Sequence, residues 1–363
     1  MYKKPLLTSF SVGEILLKNR IVMAPLTRGR AINQENIATP IIAEYYRQRA
    51  TAGLIISEGS QVSKMAVGYG NTPGIYSENQ TEAWKQVTNA VHEEGGKIFI
   101  QLWHVGRLSH PVFLDGNLPW APSAVEINYL ARTPGGPKPA PTPHEMTVEE
   151  IKQVVKEFKD GAKNALEAGF DGVEIHASNG YLIHQFIAPC SNVRTDEYGG
   201  SVENRSRFLL EIIEEMKSVI PENKIGVRLN PSYHQDHDMV LTQDTIPTFD
   251  YLINKLNNFD LAYLHLSEPG KKAMESSFAE KEIAKRYRPI YKGNLMINKG
   301  FTFETGNEVI EENLADLVAY GIPFISNPDL VRRFEIGAPI ADADPVTFYS
   351  PGEKGFIDYP KID

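Results

Sequence analysis

The sequence predicts an α/β fold, a (β/α)8 TIM barrel forming a single domain over residues 1–363. Three observations carry this. Eight short apolar runs recur along the chain, rich in Ile, Val, Leu and aromatics. They do not alternate cleanly between apolar and polar, as expected of strands buried on both faces of a parallel sheet. A helical pattern follows each run, and eight such pairs suit a closed barrel. The runner-up is a doubly wound sheet, which usually carries a Gly-rich phosphate turn after its first strand. Here the first run leads into APLTRGR, with no G-x-G-x-x-G.

The elements follow in order. An N-terminal pair of short strands is read in PLLTSFSVGEILLKNR (5–20), turning at Val12-Gly13 and closing the barrel bottom. The strand-like runs are IVMAPL (21–26), GLIISEG (53–59), KIFIQLW (97–103), GVEIHAS (172–178), KIGVRLN (224–230), LAYLHLS (261–267), NLMINKG (294–300) and ADLVAY (315–320). Helices are expected over 39–51, 79–94, 147–168, 202–219, 246–257, 278–286, 304–313 and 329–336. The third has the plainest start and stop. Thr147 and Glu150 form a capping-box pattern, and Gly169 follows as a C-cap. Its apolar residues Ile151, Val154, Val155, Phe158, Ala162 and Ala165 recur at three and four. The segment 107–146 breaks the rhythm with Pro and Gly, including TPGGPKPAPTPHE (133–145). So long a connection inside a compact domain is usually functional or disordered. In a barrel it would cover the C-terminal mouth, where active sites lie.

Composition excludes several classes. The chain has 363 residues, 42% hydrophobic and 23% charged, so a large core is available. Net charge is −9, a poor basis for broad nucleic-acid binding. Cys190 is the single cysteine, too few for an intrachain disulfide, a four-thiolate zinc site or a protein-held iron–sulfur cluster. No run approaches the ~18–20 apolar residues of a membrane span, and the N-terminus lacks a signal-peptide core. The expectation is a cytoplasmic protein with no nucleic-acid or membrane partner.

Polar residues at strand C-termini point toward a barrel's catalytic face. Those ends hold Thr27, Glu58, Gln101, Trp103, His104, His176, Asn179, Tyr181, Arg228 and Lys299. Singly, each is as well explained by packing; together they suggest a site. His176 and Asn179, in GVEIHASNGYLIHQF (172–186), are both able to donate to one oxygen and stabilise charge developing there. Tyr181 could supply a proton. A capped turn pivoting on Gly180, with a buried tyrosine, explains the same residues equally well. His234, Asp236, His237 and Asp238, in SYHQDHDM, could in principle hold a metal. They read instead as a solvated loop, and no metal site is expected.

Over about residues 20–360 the sequence resembles the old yellow enzyme family of flavin-dependent ene-reductases. The motifs include NRIVMAPLTRGRA (19–31), EYYRQRA (44–50), QLWHVGR (101–107), DGVEIHASNGYLIHQF (171–186), GVRLNP (226–231), SNPDLVRRF (326–334) and TFYSPGEKGFIDYP (347–360). The most specific is SNVRTDEYGGSVENRSRF (191–208).

The resemblance implies a barrel holding non-covalent FMN, with NAD(P)H as hydride donor and activated alkenes as substrates. It implies Thr27 near flavin N5, Gln101 on the pyrimidine edge, Arg228 near N1 and O2, and Pro25 and Gly59 lining the ring pocket. His176 and Asn179 would bind the substrate carbonyl, and phenolic inhibitors could sit there too. Tyr181 would be the proton donor, with Trp103 and Tyr349 shaping the substrate pocket. Thr27 places the chain in the threonine branch, as one branch has cysteine there, and Cys190 reads as structural. One position departs from the pattern. Ile322 follows Gly321 where the resemblance leads one to expect an arginine on the FMN phosphate. Lys299 could replace part of that charge, with Gly300, Phe301 and Gly321 amides as a cradle; Lys299 pointing to solvent is equally open. If flavin binding were lost, a cofactor-independent lyase or isomerase, or a non-catalytic binder of phenols or enones, would remain. The oligomeric state, monomer or homodimer, is open.

Overall fold

A computed structural model describes residues 4–362. The eight apolar runs form a closed parallel barrel. Its strands are β1 (Ile21–Met23), β2 (Leu54–Gln61), β3 (Ile98–Trp103), β4 (Gly172–His176), β5 (Ile225–Leu229), β6 (Tyr263–Ser267), β7 (Leu295–Asn298) and β8 (Leu317–Tyr320). The circle closes where Val318 of β8 aligns with Ile21 of β1. Every residue of these strands is buried except Arg228, which is half-buried. Burial on both faces explains why the runs are apolar throughout rather than alternating.

The predicted hairpin pairs Phe10–Val12 with Ile15–Leu17. Gly13 turns it at φ +54°, and a Cβ there would press on the Asn223 side chain. Val12 and Leu17 pack with Val22, Leu54, Phe99 and Leu317, near the N-terminal ends of barrel strands. The hairpin therefore stoppers the bottom and leaves the top for chemistry.

Most helices form where the periodicity places them: Pro40–Gln48, Glu78–Glu93, Val148–Glu167, Val202–Met216, Thr245–Leu256, Phe303–Glu311 and Leu330–Ile336. The capping box is present, with Glu150 N–H donating to Thr147 Oγ1 at 3.2 Å and Thr147 N–H to Glu150 Oε2 at 2.7 Å. Gly169 takes φ +88° just past that helix. The helix expected over 278–286 is shorter, Ile283–Tyr287. The Glu268 carboxylate accepts from Ile283 and Ala284 N–H, so a side chain from another loop sets where it begins. Glu280 and Ser276 side chains hold the residues before it in turns.

The 107–146 segment is ordered by short pairings. Trp120–Ala121 lies beside His144–Glu145, and Leu130–Thr133 forms a hairpin with Gly136–Pro139. On another side of the mouth, residues 344–357 form a strap tied by buried arginines. Arg28 donates to the carbonyls of Phe348 (3.0 Å) and Gly355 (2.7 Å). Arg30 donates to Phe348 and Thr347, and Arg49 to Phe356. No helix among the described residues is long and apolar enough to cross a membrane.

Candidate active site

A cavity of about 780 Å³ opens at the C-terminal end of the barrel. Its lining brings together Pro25, Thr27, Gln101, Trp103, His176, Asn179, Tyr181, Arg228 and Tyr349, and also Ile322. Gly59 lies just behind: a Cβ there would sit 2.7 Å from the Trp103 ring, so glycine lets the indole lie flat on β2. Lys299, Gly300, Phe301 and Gly321 are not in the lining. Lys299 stretches toward Gly270, where an added Cβ would meet its Nζ at 2.7 Å. Burial lowers the Lys299 pKa, against the charge of Asp236. Two other strand-end residues also turn away. Glu58 packs beneath the Arg28–Gly29 turn, and His104 is buried and neutral, its pKa pushed down to about 3 by burial.

The floor is polar and asymmetric. His176 ends β4 beside Arg228 of β5, which in turn neighbours His265 of β6. Burial, then the charge of Arg228, hold His176 well below the usual imidazole range, so the ring is neutral at pH 7. The Ser178 hydroxyl lies 3.2 Å from His176 Nδ1. With that hydroxyl as donor, the ring proton resides on Nε2 as a second donor. Asn179 is oriented the same way. Its Oδ1 accepts from Asn230 Nδ2 at 3.0 Å, leaving its own Nδ2 free to donate. The Asn179-Gly180 pair holds positive φ at both residues (+58° and +80°), which Asn and Gly tolerate best.

An aromatic wall stands beside these donors. Tyr181 meets His176 and Trp103 edge-on at 4.9 and 5.0 Å between ring centroids. Tyr69 stacks on Trp103 at 5.5 Å. Tyr181 Oη lies 3.5 Å from Tyr69 Oη, which lies 3.3 Å from Tyr129 Oη. Burial pushes the Tyr181 phenol up, so it carries its proton at neutral pH.

Sequence reading missed Tyr69, Tyr129, Arg132 and His237, all part of the cavity wall. His237 corrects the solvated-loop expectation. Its Nδ1 lies 2.9 Å from Tyr233 Oη and 3.2 Å from the Asn179 carbonyl oxygen. Its neighbours are taken up elsewhere, Asp236 by Lys272 and Asp238 by the Asn128 N–H. No group of three or more potential metal ligands occurs among the described residues. Nothing local in SYHQDHDM marks which residue turns inward. Cys190 Sγ faces the Val240 amide at 3.5 Å, outside the cavity wall.

Residues 5–340 match the model of the NADH:flavin oxidoreductase / NADH oxidase family. The chain is 40% identical to 12-oxophytodienoate reductase 1 of Oryza sativa subsp. japonica, over 99% of this chain and 93% of that protein. Among solved structures, the old yellow enzyme homologue from Zymomonas mobilis superposes with TM-score 0.92 at 40% identity, covering 98% of this chain and 99% of that one. Morphinone reductase in complex with tetrahydroNAD gives 0.92 at 39%, covering 99% and 98%. The chain belongs to the old yellow enzyme family.

As an old yellow enzyme, it is an FMN-dependent NAD(P)H:alkene oxidoreductase. The cofactor-free lyase and the non-catalytic binder fall away. The cavity floor fits a flavin ring. Arg228, half-buried near the end of β5, presents its cation to the cavity lining. An electron-rich ring edge is the kind of group such a cation pairs with. The volume lies within the usual range for a cofactor pocket, about 300–1,000 Å³.

Proposed function

We propose that His176 and Asn179 hold the carbonyl or nitro oxygen of an activated alkene while Tyr181 delivers the proton. The carrying observation is that both side chains are held at the cavity floor: Ser178 Oγ lies 3.2 Å from His176 Nδ1, and Asn230 Nδ2 donates to Asn179 Oδ1 at 3.0 Å, leaving the Asn179 NH2 group to donate. When bound, FMN supplies hydride transfer, taking hydride from NAD(P)H and passing it from N5 to the alkene β-carbon. Charge then builds on the substrate oxygen, where two fixed donors stabilise it without reorganising. Tyr181, a proton-bearing phenol beside them, protonates the α-carbon.

On the cofactor side, Arg228 would hold the N1–O2 edge and Gln101 the pyrimidine edge. Thr27 would lie near N5, and Pro25 and Gly59 would bound the ring. Trp103 and Tyr349 shape the substrate pocket, and Trp103 influences which alkene face meets the flavin. The phosphate end is assigned to the turns after β7 and β8, which are neighbouring strands. There Gly300, Phe301 and Gly321 offer backbone amides, with Lys299 a more distant charge. Phenols are inhibitors that occupy the oxygen site. Thr27 assigns the chain to the threonine branch. The protein is assigned to the cytoplasm, acting on small molecules as a monomer or homodimer, with no nucleic-acid or membrane partner.

The test is His176→Ala and Asn179→Ala, each expected to lower kcat/KM for an enone by about 10²–10³. Tyr181→Phe should slow alkene reduction while NAD(P)H still reduces the flavin at the wild-type rate. An unchanged kcat/KM in both alanine variants overturns the assignment.

A further inference from the structure

Glu174 lies inside the barrel on β4, fully buried, and has no part in the chemistry assigned above. Its carboxylate is gripped from two sides. Gln101 Nε2 donates to Oε1 at 2.8 Å, and His265 Nδ1 lies 2.8 Å from Oε2. All three residues are essentially inaccessible. Burial, opposed by Glu174, lowers the His265 pKa, so the ring is neutral and its Nδ1–H is the donor. After burial, Glu174 is the largest influence on Arg228, acting in favour of its charge.

Two consequences follow from chemistry alone. A carboxylate only accepts, so it fixes which end of the Gln101 amide faces it. The NH2 end is held by Glu174, and the carbonyl end Oε1 remains free for the cavity. A negative charge close to Arg228 also weakens the positive field that Arg228 projects into the cavity. At low local dielectric that offset is large.

We propose that Glu174, braced by His265, is a positioning residue that makes Gln101 an acceptor toward the cofactor and holds down the flavin's reduction potential. This rests on the assignment of Arg228 and Gln101 to the flavin ring. Bound flavin reduced by NAD(P)H, which leaves as NAD(P)+, would carry negative charge on its N1–C2=O edge. Arg228 stabilises that charge, and Glu174 limits by how much. The ring N3–H, a donor on the pyrimidine edge, meets the acceptor that Glu174 presents.

The experiment measures affinity of the apoprotein for FMN and N3-methyl-FMN by flavin fluorescence, and the midpoint potential of the FMN holoprotein by spectroscopic titration. Unmutated protein should bind FMN at least tenfold more tightly than the N3-methyl analogue. Equal binding of the two overturns the proposal without any variant. In Glu174→Gln that preference should fall below threefold. Reduced FMN should gain at least tenfold in affinity relative to oxidised FMN, an upward shift of about 30 mV for a two-electron couple. Glu174→Asp keeps the charge but shortens the reach. It should lose the preference for FMN yet stay within threefold of wild type in the oxidised-to-reduced ratio. A Glu174→Gln variant that binds FMN with unchanged preference and potential overturns the proposal and leaves the flavin assignment standing. Failure of the unmutated chain to bind FMN at all overturns both.

Discussion

Two rims of the cavity are held differently. The C-terminal strap brings Phe348 and Tyr349 to the cavity, and its carbonyls are clamped by Arg28, Arg30 and Arg49, all at most 2% exposed. The 130–139 hairpin brings Arg132, Thr133 and Pro134. Beyond its own pairing, it is tied at its foot by Asp238 accepting from Asn128 N–H, and Arg132 lies 5.5 Å over the Tyr349 ring. Its outer strand is largely exposed. Buried charge-assisted hydrogen bonds resist local opening, whereas an exposed two-stranded ribbon opens at little cost. The difference teaches that one rim is built as a fixed wall and the other as an adjustable one.

The strongest way to break this contrast is to unclamp the strap. Arg28→Met leaves the Gly355 carbonyl without its donor, with Phe348 held by Arg30 alone, and should cost ~2–4 kcal/mol of stability. Denaturant unfolding checks this, and a loss below about 1 kcal/mol means the strap does not depend on the clamp.

Glu58 sharpens the contrast through pH. It lies under the Arg28 turn, and burial raises its pKa to about 7. Between the ordinary value near 4.5 and about 7, the folded chain keeps this proton while the unfolded chain releases it. The folded state binds more protons there, so this contribution falls as pH rises through the window and is level above it. Glu58→Gln should flatten that slope and raise stability at pH 8 by ~1–3 kcal/mol. Thermal melts of both proteins from pH 4.5 to 8 decide it; parallel curves mean Glu58 does not titrate in this range.

Ile322, after β8, belongs to neither rim and is 59% exposed at the cavity edge. Ile322→Arg should tighten FMN binding about tenfold at low salt, with the gain shrinking as salt rises. A salt-independent affinity equal to wild type places the phosphate elsewhere. The smallest effect belongs to the adjustable rim. Arg132→Ala should change stability by less than ~0.5 kcal/mol. It should still alter KM for alkenes that reach the mouth. If it destabilises the protein as much as Arg28→Met does, the two rims are equivalent and the contrast fails.

Much of the fold was legible because barrel strands are buried on both faces and leave unbroken apolar runs. The capping box at Thr147 and Glu150 was legible because both partners lie within one turn. The helix at Ile283 was misplaced because its cap comes from Glu268, fifteen residues earlier. In the site, His176, Asn179, Tyr181 and Arg228 were readable from strand ends and motif. His237, Tyr69 and Tyr129 were not, because loops of no fixed period bring them in.

By itself, then, the sequence determined the barrel, the family and the polar strand ends, since these follow from periodicity and short motifs. Only the tertiary structure decided which atoms those side chains present. Asn230 donates to the Asn179 carbonyl end, Ser178 Oγ sits 3.2 Å from His176 Nδ1, and Glu174 turns the Gln101 amide. Two of those three partners stand on a different strand or loop from the residue they orient. A hydrogen bond across strands depends on barrel register and closure, which no local stretch of residues encodes.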